Sequence, residues 1–388
     1  MPAKYLIAKK VAVEFHHNDD QDSLWKLHED ATSDFLALWQ KIKNTSLELS
    51  QLEDANQNLM DLNVELVNRM LKKCNFCKWN CKVDRSIVDS NPKAKTGTCQ
   101  LGEITRVGAY FHHRGEELIY RGSDGSGTIF FTSCNLRCSF CQNGDISKDK
   151  YNGNETTSDE LAQISVLLRL EGCHNVNYVG GDPIVHLHTI VRAISKLKFF
   201  NFDTKMLRNL FKTKSDKFIS YPLSKHFGNY KGKFNVPILW NSNFFMSMEA
   251  VRILRTIVDV WLPDFKFGNN KCARRLARTP WYFETVAELH KIIYDWGEDF
   301  SIRHLIMPNH VECCTKPVLK WIQENTPHAL VNIMDQYHPD SFTNPNSPEY
   351  NPRYEDLSRF PTQEEIQDSY LYAKELHLNF EAITFENF

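Results

Sequence analysis

Apolar residues recur along the first fifth of the chain at the intervals of an α-helix. Over residues 20–73 the positions between them hold Asn, Asp, Gln and Glu, and no heptad persists over several turns. The apolar positions at helical spacing are Phe35, Trp39, Ile42, Leu59, Leu62, Leu66 and Met70. This pattern predicts a helical cap and disfavours a partner-binding coiled coil.

From residue 128 the pattern changes to short apolar runs that alternate with amphipathic segments. The runs predicted as strands are 128–131, 176–180, 236–240, 259–265, 300–306 and 330–334. Predicted helices between them include 160–172, 248–258, 285–297 and 316–326. Six such repeats predict an α/β fold with a parallel sheet, closed or part-closed like a barrel. In folds of this kind the chemistry lies at the carboxyl ends of the strands.

The end of the chain carries a loop signal followed by a helix signal. The stretch before Thr362 is rich in Pro, Asn and Ser and predicts a loop over the barrel mouth. Thr362 and Glu365 then form a capping box for a last helix. Four regions are expected: a helical cap (1–73), a Cys-rich module (74–125), a core (126–345) and a C-terminal loop and helix (346–388).

Residues 196–235 break the strand–helix rhythm inside the core. They hold ten Lys or Arg against two Asp or Glu, interleaved with phenylalanines. A basic, aromatic insertion of this kind could bind RNA or an acidic partner. A solvated surface elaboration with a small apolar face of its own is the interpretation that we favour.

Charge and hydropathy narrow the setting of the protein. The formal net charge of −2 gives no global attraction to nucleic acid or to a membrane. No apolar run approaches the ~20 residues that span a bilayer, and the N-terminus does not have the pattern of a secretory signal. We therefore expect no membrane partner and a reducing, cytoplasmic location, where the 11 cysteines are metal ligands or thiols.

Cys134, Cys138 and Cys141 follow the first predicted strand with the spacing CxxxCxxC. Three thiolates in a reducing compartment suit an iron–sulfur cluster, and three ligands would leave one iron of a 4Fe–4S cluster open to a small molecule. A structural zinc knuckle or buried free thiols are the alternatives, but zinc usually takes four ligands.

A second group of cysteines precedes the core. Cys74, Cys77, Cys81 and Cys99 lie within 26 residues, at spacings typical of metal ligands. They could hold a zinc ion or a second iron–sulfur cluster, and reduced thiols in a tight loop are the alternative.

Each later strand ends in residues suited to binding a small polar molecule. Glycines permit close approach of a backbone, and Asp and Lys two residues apart share one face of a strand. The candidates, in chain order, are Gly180, Gly181, Asp182, Asn241, Asn243, Asp264, Lys266, Arg303, His304, Gln336, Tyr337 and His338. Individually they could also close turns or pair with each other, and only their shared position favours a site. His186 and His188 are expected to pack or cap rather than bind metal.

With these residues assembled, the chain resembles a radical S-adenosylmethionine (SAM) enzyme, and more narrowly the PflX-like group related to pyruvate formate-lyase activating enzyme. The stretches that carry the resemblance are CNFCKWNC, GEELIYRGSDGSGTIFFTSCNLRCSFCQN, HNVNYVGGDP, LWNSNFF, DFKFGNNKCA, IRHLIMPNHVECC and VNIMDQYHP. They cover roughly residues 74 to 380. The resemblance implies a partial (β/α)6 barrel with the N-terminal helical and Cys-rich parts as an extension.

The resemblance also implies roles for the strand-end residues. The cysteine triad would hold a 4Fe–4S cluster whose open iron is chelated by SAM, and Phe140 would lie near the adenine. Gly180, Gly181 and Asp182 match the motif that binds the methionine amine. Asp264 and Lys266 match a pair near the methionine moiety, and Arg303 matches a cofactor-side arginine. From the residues alone, Asn241 is a candidate for the ribose hydroxyls.

The predicted activity is reductive cleavage of SAM to a 5′-deoxyadenosyl radical, which abstracts a hydrogen atom from a protein or peptide. An electron donor such as flavodoxin or ferredoxin would reduce the cluster. The alternatives are a radical enzyme that modifies RNA and a non-catalytic iron–sulfur redox protein. A redox protein gains nothing from an iron without a protein ligand, so the three-cysteine pattern disfavours that alternative.

Overall fold

Six parallel strands form an arc, and helices cover its outside. The computed structural model describes residues 1–91, 93–201 and 221–384. Within these ranges the strands are β1 (Arg106–His113), β2 (Ser126–Phe131), β3 (Asn154–Glu155), β4 (Val176–Gly180), β5 (Asn229–Tyr230), β6 (Lys233–Phe234), β7 (Ile238–Ser242), β8 (Val260–Pro263), β9 (Ser301–Leu305) and β10 (Leu330–Met334).

The helices lie mostly between consecutive strands of the arc. They are α1 (Lys4–Ala8), α2 (Gln21–Lys43), α3 (Leu59–Lys72), α4 (Leu118–Arg121), α5 (Gly144–Ser147), α6 (Ser158–Leu170), α7 (Leu187–Ser195), α8 (Met248–Arg255), α9 (Asn270–Ala277), α10 (Tyr282–Asp295), α11 (Lys316–Asn325), α12 (Gln363–Glu375) and α13 (Glu381–Thr384). A π-helix, Val311–Thr315, leads into α11. The capping box of Thr362 and Glu365 opens α12 as predicted.

Strand pairing confirms the predicted α/β fold. One sheet has the order β3-β1-β2-β4-β7-β8, in which β2, β4, β7 and β8 are parallel and β1 joins antiparallel. The parallel pair β9 and β10 continues the arc, because single bridges join Trp261 to Phe300 and Asp264 to Arg303. Each predicted strand has its counterpart among these six. The side chains of β2, β4, β7 and β8 are mostly buried on both faces, which explains why these segments are largely apolar.

The N-terminal region is helical, as predicted, but not continuously so. Residues 44–58 separate α2 from α3 and hold only a short 3-10 turn, so the helical prediction over 20–73 was wrong there. Thr45 has φ 57°, a left-handed conformation that ends a helix. Asn58 then begins α3 with a capping box, in which its side chain accepts from the Asp61 backbone N–H.

The N-terminal segment covers the amino ends of the strands. The Tyr5 hydroxyl donates to the Phe234 carbonyl at 2.8 Å, just before β7, and the Lys4 amide donates to Asp259 at 2.8 Å, just before β8. Lys4 also forms a buried ion pair with Glu298, before β9. These contacts lie at the end of the barrel opposite to the carboxyl ends of the strands, where we expect the site.

A second segment fills the barrel from the same end. Residues 114–125, here called the plug, connect β1 to β2 and contain α4. Tyr120 packs on Leu239 and Leu262, and its hydroxyl donates to Ser301 at 2.7 Å. The plug therefore occupies the part of the interior near the amino ends of the strands.

The basic insertion falls partly outside the described residues, because 202–220 are not described. In the part that is described, Lys233 pairs with Asp54 at 2.9 Å and Lys231 pairs with Glu48, both in the N-terminal region. The RNA-binding interpretation of 196–235 stays a prediction. Among the residues that the structure describes, no helix is long and apolar enough to cross a membrane.

Candidate active site

The cysteine triad lies on a loop directly after β2, the first of the parallel strands. Ser133, immediately before Cys134, has φ 63°, which turns the chain away from the strand. Its amide donates to the Ile146 carbonyl at 2.8 Å, and its hydroxyl donates to the Cys99 carbonyl at 2.6 Å. These bonds hold the strained turn in place and so fix where the triad begins.

Two amide groups approach the sulfur of Cys134, the first cysteine of the triad. The Leu136 amide approaches Cys134 Sγ at 3.3 Å, and the Asn243 side-chain amide approaches it at 3.5 Å. Burial raises the pKa of Cys138 to about 12 and that of Cys134 well above its ordinary value. Buried thiols at this position favour the neutral form unless a metal supplies positive charge. The donor set therefore fits a thiolate-ligated metal group.

Two neighbouring segments hold the triad loop from outside. From the Cys-rich module, the Trp79 indole N–H donates to the Asn135 carbonyl at 2.7 Å. From α9, the Ala277 carbonyl accepts from the Arg137 amide at 3.1 Å and the Leu276 carbonyl accepts from the Ser139 amide at 2.8 Å. Because these bonds are made to backbone atoms of the loop, they position it independently of the conformations of its side chains.

A cavity of about 390 Å³ opens at the carboxyl ends of the strands. It brings together the triad and every strand-end residue predicted to bind the cofactor. Those lining residues are Cys134, Cys138, Phe140, Cys141, Gly180, Gly181, Asp182, Asn241, Asp264, Lys266 and Arg303. The triad also lines a second cavity of about 250 Å³ on its other side, where Phe342, Asn351 and Tyr354 of the C-terminal loop contribute. The three thiols thus lie between two open spaces.

The two glycines bring β4 against the start of the triad loop. A Cβ on Gly181 would lie 1.8 Å from the Ser133 carbonyl oxygen, and one on Gly180, with φ 121°, would lie 2.2 Å from the Phe131 amide nitrogen. The Gly181 amide donates to the Phe131 carbonyl at 2.8 Å. The close backbone approach predicted from these glycines is therefore made, in part, to the protein's own strand.

Asp182 lies at the wall of the cavity with its carboxylate already bonded. It accepts from the Ile184 amide at 3.0 Å, from the Asn243 amide at 2.8 Å and from the Ser242 hydroxyl at 3.1 Å. Burial raises the pKa of Asp182 to about 7, although these donors lower it. Asp182 thereby ties the end of β4 to the end of β7, beside Cys134.

Asp264 and Lys266, which follow β8 directly, form the ion pair predicted from their spacing. Lys266 Nζ lies 2.5 Å from Asp264 Oδ2. Burial would lower the pKa of Lys266, but Asp264 and then Cys138 raise it above its ordinary value. A fixed positive charge thus lies beside the triad, next to a carboxylate that can accept from an ammonium group.

Arg303 lies on the floor of the cavity between two acidic residues of the plug. Its Nε donates to Glu117 at 2.7 Å, and its NH2 contacts Glu116. Burial would raise the pKa of Glu116, but Arg303 holds that pKa well below its usual range. Glu116 also accepts from Asn177 at 2.6 Å and Glu117 accepts from Asn332 at 2.7 Å. Sequence reasoning missed both glutamates, whose only local signal was an acidic pair before a short apolar run.

The other predicted histidines and aromatic residues serve the fold. His186 donates or accepts at Thr132 and Thr105, and His188 bonds the Glu103 carbonyl at 2.8 Å, so both pack as expected. His304 is fully buried between the Phe265 carbonyl and Thr315. The Tyr337 hydroxyl donates to the Leu357 carbonyl at 2.6 Å, which fastens the C-terminal loop.

The four cysteines of the N-terminal group surround one small cavity together with Phe76, Arg85 and Gly97. Backbone bonds from the Lys82 amide to Cys74 and from the Asn80 amide to Cys77 fold the segment into a tight knuckle. Asn80 and Lys82 adopt φ 44° and 55° in this turn. Burial raises the pKa of Cys74 and of Cys77, as it does for the triad.

A third group of thiols was missed by sequence reasoning. Cys272, Cys313 and Cys314 lie with His310 so that one ligand atom of each falls within 4.8 Å of the others. The chain's 11 cysteines thus divide into groups of four, three and three, with Cys173 alone. The adjacent pair in HVECC was the only local signal, and nothing in the sequence tied it to Cys272.

Comparison with known proteins places this site in a family. The model of the Radical SAM superfamily matches residues 128–322, which hold the triad and five of the six parallel strands, apart from the first two residues of β2. The uncharacterized protein MJ0674 of Methanocaldococcus jannaschii is 34% identical over 385 residues, covering 97% of this chain and 95% of that protein.

Two solved structures are similar at lower identity. SuiB of Streptococcus suis, bound to S-adenosylmethionine, matches with a TM-score of 0.41 and 13% identity over 64% of this chain. The match spans 48% of the SuiB chain, less than half its length. A domain of pyruvate-formate lyase-activating enzyme from Bacteroides vulgatus matches with a TM-score of 0.29 and 13% identity, over 37% of this chain and 80% of that domain. The family match over half of this chain and the nearly full-length archaeal relative confirm the superfamily that the motifs predicted: the chain belongs to the radical SAM superfamily.

Proposed function

We propose that the protein is a radical SAM enzyme in which Cys134, Cys138 and Cys141 hold a 4Fe–4S cluster. The observation that carries this proposal is the position of three neighbouring thiols between two cavities, with Cys134 buried and Cys138 and Cys141 partly exposed, and with no fourth thiol on the loop to close the site. When bound, the reduced cluster and SAM supply the cleavage that gives a 5′-deoxyadenosyl radical for hydrogen abstraction.

The chain's own residues bind and orient the cofactor in this proposal. Asp264 accepts from the methionine ammonium, while Lys266 balances the negative charge of the thiolates beside it. Gly180 and Gly181 keep the cavity wall narrow enough for backbone carbonyls to reach the same ammonium. Phe140 and Asn241 line the cavity where an adenosine would extend. Arg303 stays on the floor, where its glutamate partners leave it little capacity to bind a carboxylate.

We further propose that the substrate is a protein or peptide. The cavity lining offers both signs of charge, from Glu116 and Arg303, and an amide group from Gln336, which suits a chain that carries donors and acceptors along its backbone. An electron donor of the flavodoxin or ferredoxin type is expected to reduce the cluster from the side of the second cavity.

Counting iron and sulfide after anaerobic reconstitution tests the ligand assignment. We expect Cys138→Ala to lose about four iron atoms per chain relative to Cys173→Ala, which removes a buried thiol outside all three groups. Equal iron content in the two variants would show that the triad does not hold the cluster. If all cluster iron instead follows Cys77→Ala, the cluster belongs to the N-terminal group, for which we propose a second metal, zinc or iron–sulfur.

Deuterium transfer tests the substrate class. The reconstituted protein is chemically reduced and incubated with SAM and a deuterated cell extract, and deuterium in 5′-deoxyadenosine is measured by mass spectrometry. We expect protease treatment of the extract to abolish the transfer and RNase treatment to leave it intact. The reverse result would favour an RNA substrate and the basic insertion as its binding surface.

A further inference from the structure

Cys272, His310, Cys313 and Cys314 form a compact set of ligand atoms outside the cavity. Cys272 Sγ lies 3.7 Å from Cys313 Sγ, and His310 Nδ1 lies 3.1 Å from Cys313 Sγ and 3.8 Å from Cys314 Sγ. Cys272 and Cys314 are buried, as is His310, and only Cys313 is partly exposed. Buried thiols converging on an imidazole are a soft, closed donor set.

The local backbone is built to bring these residues together. Asn269 accepts from the Cys272 amide at 2.8 Å as the N-cap of α9, and its side-chain amide donates to the Cys313 carbonyl at 2.6 Å. A Cβ on Gly268 would lie 2.7 Å from the Cys314 carbonyl oxygen, so only glycine lets the two segments approach this closely. Cys313 and Cys314 lie on the π-helix, an irregularity that is frequent at functional sites.

His310 is oriented by groups beyond the thiols. Its Nδ1 faces the sulfurs, while its Nε2 lies 3.1 Å from the Asp356 carboxylate. Arg275 pairs with the same carboxylate at 2.9 Å and also lies 2.9 Å from Nε2. A metal-binding histidine typically donates its second N–H to a carboxylate, which fixes the ring and the tautomer. The pair of His310 and Asp356 has that arrangement.

We propose that Cys272, His310, Cys313 and Cys314 bind one zinc ion. Four ligands of the Cys3His type close a tetrahedral site, as in structural zinc centres. With Zn–S bonds of about 2.3 Å, the sulfurs of such a site lie about 3.8 Å apart, which matches the 3.7 Å between Cys272 and Cys313. A disulfide between the same two would need the sulfurs at about 2.05 Å.

The zinc ion would fasten the first turn of α9 to the π-helix after β9. The opposite end of α9 accepts the two backbone bonds from the triad loop, at Leu276 and Ala277. A zinc ion at this site would therefore hold α9 in the position from which it binds the triad loop. That consequence for the cluster rests on the proposed function, whereas zinc binding itself does not.

Metal analysis of the full-length chain tests the site. We expect Cys313→Ala to contain roughly one zinc per chain less than Cys173→Ala, and the variant lacking all three triad cysteines to lose iron but keep that zinc. Equal zinc in Cys313→Ala and Cys173→Ala overturns the proposal. Loss of iron alone in the triad variant leaves zinc binding supported even if SAM cleavage is never found, so the two proposals fail separately.

Two further measurements do not depend on how the Cys313 variant folds. In the unmutated metal-free chain, we expect Zn²⁺ to slow alkylation of Cys313 at least tenfold. Unchanged labelling, or a Cys272–Cys313 disulfide in place of zinc, overturns the proposal.

Asp356→Asn should weaken zinc binding about 10–100-fold, whereas Asp368→Asn, which removes a carboxylate paired with Lys316, should not. Equal zinc affinity in these two variants would contradict the orienting role of Asp356.

Discussion

Gly181→Ala places a single methyl group between β4 and the triad loop, and its cost can be worked out from the structure. The new Cβ would lie 1.8 Å from the Ser133 carbonyl oxygen, whereas real Cβ contacts essentially never fall under 3.0 Å. The two backbones must therefore separate by about 1.2 Å. That movement breaks the bond from Gly181 to Phe131, at 2.8 Å, and the bond from Asp182 to Ser133, at 3.0 Å.

Each of these two backbone bonds contributes about 1 kcal/mol, and the residual strain adds about 1–3 kcal/mol. We expect urea unfolding of the metal-free chain to give a free energy of unfolding about 3–5 kcal/mol lower in Gly181→Ala. Because Ser133 precedes Cys134, reconstituted iron should fall as well. Gly144→Ala is the control, since its Cβ meets ordinary contacts of 3.5 Å or more. A Gly181→Ala protein within 0.5 kcal/mol of Gly144→Ala would refute the packing described for this wall.

Other parts of the molecule give further predictions. Arg303→Met leaves Glu116 and Glu117 buried without their cation, so we expect a loss of about 3–5 kcal/mol in urea unfolding, and an unchanged midpoint would contradict the floor as described. Lys266→Met should weaken SAM binding about 10–100-fold in equilibrium dialysis of the reconstituted protein, and equal affinity in Lys266→Met and the exposed Lys271→Met would contradict its role. Burial lowers the pKa of four histidines to about 3 or 4, below the 6.5 of the unfolded chain; they are His28, His186, His290 and His304. Below pH 6.5 the unfolded state therefore binds more protons than the folded state does. The free energy of unfolding should fall by about 2 kcal/mol per histidine between pH 7 and 5. A free energy of unfolding that does not change with pH over this range would show that these rings are not held neutral.

The features that the sequence predicted well are local ones. None of the residues of β4 and β10 is exposed, and both strands are rich in apolar residues, so their bounds agree with the predicted runs 176–180 and 330–334. The triad could be recognised because its three cysteines lie within eight residues of one another, directly after a predicted strand. Asp264 and Lys266 pair as expected from their separation of two residues, although β8 ends just before them at Pro263.

The features that the sequence did not predict depend on contacts between distant segments. Arg303 meets Glu117 across 186 residues, and Cys272 meets Cys313 across 41, with no spacing motif to link either pair. The break between α2 and α3 escaped because Asn58 and Asp61 restart the helix through side-chain bonds that helical periodicity does not register. The roles of Gly180 and Gly181 were predicted in kind, as close approach, but the neighbouring strand was not predicted as their partner.

Release of 5′-deoxyadenosine tests the central proposal most directly. The anaerobically reconstituted chain is reduced, SAM is added, and the nucleoside is quantified beside the Cys138→Ala and Cys173→Ala variants. We expect release from the unmutated chain and from Cys173→Ala, and none above background from Cys138→Ala. No release from the reduced, cluster-loaded chain, or equal release from Cys138→Ala, would contradict the assignment of the triad as the centre of a radical SAM enzyme.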